Sequence, residues 1–580
     1  MTTLILEATS KVGGTVRMAL DHDVDVPMRD GAKLKANVFR PPAEGKYPVL
    51  MTLGPYGKDL HFQDYQPGAW KAMIERNPDI LENSSGKYMV FENADPEVWV
   101  KHDYVVVKVD SRGACKSPGV LDINSPNEFR DFYDAIEWAG TQAWSNGKVG
   151  LLGISYYACG QWMVASYRPP HLAAILPWQG TSDFYRDRTR HGGMMCNGFI
   201  GRWWGNIMAK QHGKADCHYK DMITGERVNG AAELSELELR AQRVDYYENV
   251  RQHPTLDPWY AERSAKLENI EVPALVVANW GGLGLHLRGT ITGYQGIKSR
   301  NKWLKIQSNS YFATFFKPGS VALQRKFFDR YLKGIENGWE RESKVEVTVR
   351  GPGDTVKRSL AAEAWPLPDT RWTKLYLNAG NNSLDEEAPA ETRKSEYNAL
   401  SAGTAFSTPA LEKDLDFAGP LKAKLFVAST TADMDLFATV CAFAPDGKEM
   451  TFFAATEPAT PVSQGWLRVT QRKLDPARST EHQPHHAHDE RQPLVPGEVY
   501  EVDLEIWPAS LHLPKGSRLT LTVQGQDFAR PGPGSEGRHG SGPFTHTDGV
   551  DRALPRYANR HGIHTGGRYA SYLELPVLPG

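Results

Sequence analysis

The 580-residue sequence lacks several features that mark particular classes of protein. Its charge is balanced, since 67 Lys and Arg residues stand against 69 Asp and Glu residues, so neither nucleic acid nor an anionic membrane is expected as a partner. No run of about 18 apolar residues occurs that would span a bilayer. The opening residues MTTLILEA carry no basic segment and are interrupted by Glu7, which is atypical of a secretory signal.

Cysteine is also scarce. The five cysteines are odd in number and scattered along the chain: Cys115, Cys159, Cys196, Cys217 and Cys441. Such a pattern is typical of reduced thiols rather than of a disulfide framework. We therefore expect a soluble cytoplasmic protein that acts on a small molecule, with homo-oligomerisation left open.

The length exceeds what a single hydrophobic core supports, so several domains are expected. In the first part, short apolar runs alternate with helical patterns, as in a parallel sheet wrapped by helices. Buried strands are predicted at residues 47–53, 104–110, 149–153, 173–177, 274–278 and 303–306. Residues 128–140 have apolar side chains at helical spacing and are predicted to form a crossover helix.

Two further regions differ in pattern. Residues 180–268 are rich in Arg, Trp, Met and Glu and lack strand runs, so we predict an inserted helical cap. From residue 365 onward, period-2 strands alternate with Gly, Pro and Asp turns, which predicts a jelly-roll β-sandwich. The predicted organisation is an α/β domain at 1–179 and 269–364, a cap at 180–268 and a β-sandwich at 365–580.

One tripeptide carries the main chemical signal. Gly153, Ile154 and Ser155 lie between a predicted strand and a predicted helix, which is the position of a serine nucleophile on a sharp strand-to-helix turn. The backbone N–H of Tyr156 would then point at a developing oxyanion. A helix N-cap serine is the simpler interpretation, but it does not by itself require the glycine two residues earlier.

Longer motifs surround this turn. Residues 140–155, 109–119 and 279–290, together with 564–576 in the β-rich half, resemble the cocaine-esterase/X-prolyl dipeptidyl peptidase family of α/β hydrolases. The resemblance covers nearly the whole chain and implies an α/β-hydrolase fold. It also implies that Ser155 is the nucleophile and that the hydroxyl of Tyr56 is the second oxyanion donor.

The other two catalytic positions of that family depart from the pattern. The family's acid is expected in the loop after Asn279, where Gly282 is aligned and no Asp or Glu occurs from residue 272 to 302. The family's histidine is expected at Ser310 or Tyr311, and no histidine lies between His286 and His482. The sequence therefore predicts a degenerate triad. Loss of the base in a serine triad lowers turnover about a million-fold, so a retained hydrolase needs another base.

Two histidines are candidates for that base. His286 lies four residues after Gly282, and His191 begins the cap, although both also fit the interpretation of structural histidines. A base role for Lys58, Tyr157 or Tyr311 requires a strongly lowered pKa. The residues expected to contact substrate are Tyr56, Tyr156, Tyr157, His191, Tyr311 and Trp280.

Two histidine-rich stretches do not predict metal binding. The run HQPHHAH at 482–488 lies in a Pro-rich stretch without coordination spacing, and His546 with Asp548 is interpreted as a turn. We expect no metal and no cofactor.

Three functions remain. The double loss of catalytic partners favours a non-hydrolytic enzyme that uses Tyr56 to stabilise an enolate-like charge during cyclisation, isomerisation or lyase chemistry. Its substrate would be a small, largely apolar metabolite, because the cap is rich in Trp and Met, including Trp203 and Trp204. The alternatives are hydrolysis of an ester, lactone or amide, or acyl transfer, by Ser155 with a relocated base, and a pseudoenzyme that only binds ligand.

Overall fold

The computed structural model describes residues 3–308, 311–454, 457, 459–530 and 542–579. Its N-terminal region is built on an eleven-stranded sheet. From one edge to the other the strands are Thr3–Ser10, Gly14–Pro27, Lys33–Arg40, Val105–Asp110, Tyr47–Gly54, Ser145–Ile154, Leu172–Trp178, Ala274–Asn279, Lys302–Gln307, Val345–Arg350 and Val356–Ala362. The seven strands from Val105–Asp110 to Val345–Arg350 pair in parallel, and the flanking strands are antiparallel.

Every predicted strand of this region overlaps an observed strand, and the predicted crossover helix lies within Pro126–Gly140. These predictions are confirmed. The central strands are covered on both faces of the sheet, so their sequences are continuous apolar runs that are easily recognised. Each residue of Val105–Asp110, for example, is buried. An apolar core lies on each face of the sheet, between the strands and the helices that cover them.

Short and medium helices surround the sheet. The α-helices are Phe62–Tyr65, Pro67–Arg76, Pro96–Val100, Pro126–Gly140, Tyr156–Ala165, Asn197–Met208, Glu236–Ala241, Tyr246–Gln252, Pro258–Ala261, Leu287–Gly296, Ala313–Phe316, Pro318–Leu332 and Leu554–Tyr557. The 3₁₀ turns are Pro78–Leu81, Leu267–Asn269, Trp280–Gly282, Trp339–Arg341, Pro352–Asp354 and Val469–Gln471. No helix of the described residues is long and apolar enough to cross a membrane.

The segment 180–268 connects two neighbouring strands of the sheet, Leu172–Trp178 and Ala274–Asn279. It begins with a π-helical turn, Tyr185–Thr189, and a ribbon of two-residue strands, Arg190–His191 and Met194–Met195. The remainder combines turns and irregular segments with short helices, of which Asn197–Met208 is the longest. Trp203, Tyr246 and Tyr260 of its helices belong to the apolar core that also contains Tyr156 and Tyr157.

The chain passes from the first sheet to a second between Ala362 and Arg371. The second sheet comprises Arg371–Asn378, Ser383–Asp385, Arg393–Asn398, Thr404–Ser407, Leu415–Ser429, Asp435–Phe443, Glu449–Met450, Ser463–Arg468, Tyr500–Leu513, Arg518–Gln524, Arg560–Thr565 and Tyr572–Val577. It encloses its own apolar core, as expected for a β-sandwich or barrel. The residue limits of the four predicted segments stay predictions.

Candidate active site

Ser155 occupies the turn between the strand Ser145–Ile154 and the helix Tyr156–Ala165. Its backbone has φ 57° and ψ −113°, a conformation that non-glycine residues rarely adopt and that stores strain at functional sites. Gly153 is required there because a Cβ at that position would lie 2.5 Å from Cβ of Tyr157. The backbone N–H of Ser155 lies 3.1 Å from the carbonyls of both Trp178 and Gln179, which fixes the turn.

His286 contacts the Ser155 hydroxyl. The distance from Ser155 Oγ to His286 Nε2 is 3.0 Å, and both side chains are buried. His286 ends the loop that follows the strand Ala274–Asn279, immediately before the helix Leu287–Gly296. The loop that lacks the family's acid therefore supplies the imidazole.

Tyr311 contacts the other nitrogen of the same imidazole. Its hydroxyl is hydrogen-bonded to His286 Nδ1, and the two rings are stacked with centroids 5.6 Å apart. Tyr311 follows the strand Lys302–Gln307, at one of the two positions where the family's histidine is expected. The other, Ser310, lies outside the described residues. The resulting chain of contacts is Ser155, His286 and Tyr311.

The imidazole of His286 is neutral over a wide pH range. Burial lowers the pKa of His286 to about 3, and the positive charge of Arg188 acts in the same direction. A neutral imidazole can accept a proton from Ser155 at neutral pH. Its low basicity makes it a weak general base, because proton-transfer catalysis is most effective when the pKa of the base is near the working pH.

Tyr56 packs against Tyr156, the residue that follows Ser155. The Tyr56 hydroxyl accepts a hydrogen bond from Trp203 Nε1 at 3.0 Å, which leaves its own hydrogen for a ligand oxygen. Its ring packs on those of Tyr156 and Tyr157, each with centroids 5.7 Å away. Burial raises the pKa of Tyr56 well above its usual value, so this phenol remains a proton donor. The N–H of Tyr156 begins the helix that follows Ser155.

A carboxyl group that the sequence did not single out also lies at this turn. The side chain of Glu92 is buried beside the Ser155 side chain and the Tyr156 backbone N–H, and Oε2 has no hydrogen-bond partner among the described residues. Those two neighbours favour the ionised form, but burial prevails and holds the pKa of Glu92 well above its usual value. Glu92 reaches the site because its carbonyl accepts the backbone N–H of Ile154 at 3.0 Å.

Comparisons with known proteins identify the family of this chain. Residues 30–313 match the X-Pro dipeptidyl-peptidase (S15 family) model, and residues 337–574 match its C-terminal non-catalytic domain. A CocE/NonD family hydrolase of known structure from Staphylococcus aureus is 32% identical, with a TM-score of 0.85 over 99% of this chain and 97% of that one. The chain belongs to the CocE/X-Pro dipeptidyl-peptidase family. This confirms the resemblance and the α/β-hydrolase fold inferred from the sequence.

More distant similarities extend over comparable lengths. The cocaine esterase of Rhodococcus sp. strain MB1 Bresler is 24% identical over 96% of this chain and 98% of its own. An α-amino acid ester hydrolase structure superimposes with a TM-score of 0.66 at 16% identity and covers 99% of this chain. The expectation of non-hydrolytic chemistry is therefore wrong, since the family and its relatives are hydrolases. That expectation depended on the absence of an acid and a histidine at the family's usual positions.

Three other residues that the sequence predicts at the site lie in different surroundings. The indole N–H of Trp280 donates to the carbonyl of Thr348 at 2.8 Å, and the ring packs in a core separate from that around Tyr56. His191 packs on Trp466, with centroids 4.7 Å apart. Lys58 is paired with Asp23 and Asp59 and therefore cannot serve as a base. Tyr157 lies against Tyr56, as described above.

Among the residues that the structure describes, two groups of side chains could hold a metal ion. The ligand atoms of His191, Cys196 and His546 all lie within 4.8 Å of one another, and His22, Asp23 and Asp59 form a second group. His546 is not simply a turn residue, since its Nε2 lies 3.0 Å from His191 Nδ1. The histidine run at 482–488 is dispersed among other partners: His482 contacts Glu574, and His488 contacts Gln471.

Proposed function

We propose that this protein hydrolyses an ester, lactone or amide of a small molecule, with Ser155 as the nucleophile and His286 as the relocated general base. The 3.0 Å contact between Ser155 Oγ and His286 Nε2 carries the proposal. This distance is within the range needed for proton transfer between a nucleophile and its base. Because the chain belongs to a family of hydrolases, acyl chemistry is the simplest use of that contact.

In the acylation step, Ser155 Oγ attacks the substrate carbonyl and its proton passes to His286 Nε2. For Nε2 to accept this proton, the hydrogen of the neutral ring must reside on Nδ1, which then donates to the Tyr311 oxygen. Tyr311 thus selects the tautomer and the orientation of the ring, as the acid does in a conventional triad. A neutral phenol stabilises the imidazolium less than a carboxylate would, so slow turnover is expected.

The tetrahedral oxyanion would accept hydrogen bonds from the Tyr156 backbone N–H and the Tyr56 hydroxyl. His286 then returns its proton to the leaving alcohol or amine, which breaks the scissile bond and leaves an acyl group on Ser155. A water molecule deprotonated by His286 attacks this acyl group in the same way and releases the acid. Tyr56 is held for its role by the hydrogen bond from Trp203 in the segment 180–268.

The segment 180–268 acts as a helical cap in this proposal. Its helix Asn197–Met208 places Trp203 against Tyr156, with ring centroids 5.9 Å apart, and Phe199 lies stacked on Trp203. Aromatic walls of this kind favour a compact, partly apolar substrate. Trp203 therefore links the cap to the oxyanion donors.

Active-site labelling tests the proposal. A fluorophosphonate probe should label the wild-type protein at Ser155, and p-nitrophenyl acetate should be hydrolysed. The Ser155→Ala variant should lose both labelling and at least about 1,000-fold of the esterase activity. Ser166→Ala is a matched control, since Ser166 ends the same helix and its hydroxyl is bonded to the Met163 carbonyl at 2.7 Å. Equal ester hydrolysis by wild type and Ser155→Ala would contradict the proposal.

A further inference from the structure

Arg188 is a buried cation in the cap. It lies on the π-helical turn Tyr185–Thr189, its exposed fraction is 4%, and its guanidinium lies 5.0 Å from the ring centroid of Phe184 and 5.2 Å from that of Trp203. One arm donates a hydrogen bond to Asn124 Oδ1. Nε has no hydrogen-bond partner among the described residues.

No carboxylate of the described residues lies within 4.0 Å of the Arg188 guanidinium. The adjacent charged residues of the same turn are paired: Arg186 with Asp183, Asp187 with Arg288 and Arg190 with Asp551. A buried charge without a counterion is strongly unfavourable, and cation–π contacts of about 1–2 kcal/mol offset only part of that penalty. Arg188 therefore differs from its neighbours in lacking an anion.

Two further buried donors surround the same place without acceptors. Trp204 Nε1 and the hydrogen of the Tyr246 hydroxyl have no acceptor among the described residues, while the Tyr246 oxygen interacts with the Arg188 guanidinium. The Arg188 guanidinium lies 6.0 Å from the Tyr246 ring centroid, and the rings of Trp204 and Tyr246 are also 6.0 Å apart. Buried polar groups are normally satisfied, so three unsatisfied donors next to one another indicate a missing acceptor.

This donor cluster adjoins the proposed catalytic residues. Trp203, which lies against Arg188, donates its N–H to the Tyr56 hydroxyl and packs on the ring of Tyr156. The charge of Arg188 also acts on His286. A ligand that extends from Ser155 beneath the helices Asn197–Met208 and Tyr246–Gln252 would bring a distal group to the guanidinium.

We infer that Arg188, with Tyr246 and Trp204, binds a carboxylate carried by the substrate that is cleaved at Ser155. The inference rests on the proposed function, because it assigns the second end of the same substrate. A guanidinium can bind a carboxylate through two parallel hydrogen bonds, and the hydroxyl and indole donors would satisfy its remaining lone pairs. The substrate class is therefore an acidic ester or amide with a compact, partly apolar body.

Paired esters test the inference. The p-nitrophenyl monoester of glutarate is compared with the same ester carrying a methylated distal carboxyl, and 4-acetoxybenzoate is compared with its methyl ester. The first pair places the carboxylate on the acyl side and the second on the leaving group. At least one pair should show a ratio of kcat/KM of about 10 or more in favour of the carboxylate. Ratios of one or less in both pairs would overturn the inference.

Variants identify the residue responsible. In Arg188→Met the ratio should fall to about 1, and Arg188→Lys should retain part of it. Because both esters of a pair are measured with the same variant, any general loss of activity cancels in the ratio. Arg29→Met is the matched control, since Arg29 is a surface residue paired with Asp134, and it should keep the wild-type ratio. An unchanged ratio in Arg188→Met would also overturn the inference.

Binding measurements separate this inference from the proposed function. Calorimetry with Ser155→Ala should detect glutarate, and the double variant with Arg188→Met should bind it at least about tenfold more weakly. Hydrolysis of neutral esters without carboxylate preference or glutarate binding would leave the proposed function and reject the subsite. Arg188-dependent glutarate binding without any ester hydrolysis would support the subsite and reject the proposed function. Tighter binding of inorganic phosphate than of glutarate would reject the assignment to a carboxylate.

Discussion

Two buried polar clusters of the α/β domain differ in how their charged groups are compensated. In the cluster around His22, which also contains Asp23, Lys58, Asp59, Lys116 and Asp221, every cation contacts at least one carboxylate. Around Ser155 the polar groups are phenols, a neutral imidazole and a carboxyl with a raised pKa. In the first cluster the charged groups compensate one another. The second cluster leaves hydrogen-bond donors and one oxygen of the Glu92 carboxyl available to a ligand.

The two histidines show the physical reason. His22 Nε2 lies 3.1 Å from Asp59 and 3.3 Å from Asp221, and these carboxylates outweigh desolvation and raise the pKa of His22 to about 9. His286 has no such carboxylate neighbour among the described residues, and burial, together with the positive charge of Arg188, lowers its pKa to about 3. The same side chain is therefore a structural cation in one cluster and a neutral proton acceptor in the other.

Replacing His286 should have the largest effect on catalysis. His286→Gln keeps a similar volume but cannot take up the Ser155 proton, so kcat/KM for p-nitrophenyl acetate should fall by up to about 10,000-fold, or about 5 kcal/mol. Stability should change by less than about 1 kcal/mol, since a neutral group replaces a neutral imidazole. Steady-state kinetics and thermal unfolding measure the two effects. Retention of more than a tenth of the activity would show that another base serves Ser155.

The same substitution at His22 should lower stability and leave catalysis unchanged. His22→Gln removes a cation from among three carboxylates, which should lower the free energy of unfolding by about 1–2 kcal/mol after allowance for solvent screening, while kcat/KM is retained. Because the folded pKa of about 9 exceeds the ordinary value of 6.5, this stabilisation is fully present below pH 6.5 and disappears as the pH rises through 9. Denaturant unfolding at pH 6 and pH 10 should show the difference at pH 6 alone. Equal destabilisation at both values would contradict the ion-pair explanation.

Local patterns were enough to predict the scaffold of the site. The apolar runs, the crossover helix and the Gly153 to Ser155 turn depend on neighbouring residues in sequence, and all three appear in the structure. His286 was one of two histidine candidates, because the loop after a central parallel strand must lie near the nucleophile. His191 was the other candidate because it begins the cap, but the fold directs it toward His546.

The missed residues depend on contacts that the sequence does not display. Glu92 precedes Ser155 by 63 residues and reaches it through a backbone bond to Ile154. Arg188 is one of three arginines in a five-residue stretch, with Arg186 and Arg190, and no local feature shows which of them lacks a carboxylate. Charge compensation is a property of the folded molecule, so sequence alone could not identify either group.

The pH profile gives a smaller but direct measure of the difference between the two clusters. A base with a pKa of about 3 is fully deprotonated from pH 5.5 to 8, so kcat/KM for a neutral ester should change less than about twofold over that range. A histidine of ordinary pKa 6.5 would lose about tenfold at pH 5.5. Circular dichroism should confirm that the fold persists at each pH. An acidic limb centred near pH 6.5 would mean that His286 is not held neutral by its surroundings.

The last predicted effect concerns Glu92 and appears in stability. A carboxyl with a raised pKa takes up a proton on folding at pH values above its unfolded pKa, so it destabilises the fold there, by up to about 1.4 kcal/mol for each pH unit until the folded pKa is reached. Glu92→Gln supplies a similar shape without the proton and should be more stable than wild type at pH 8, with little difference at pH 4. Denaturant midpoints at the two pH values measure this. A Gln variant that is less stable than wild type at pH 8 would show that Glu92 is ionised in the fold and has a cationic neighbour, as the carboxylates around His22 do.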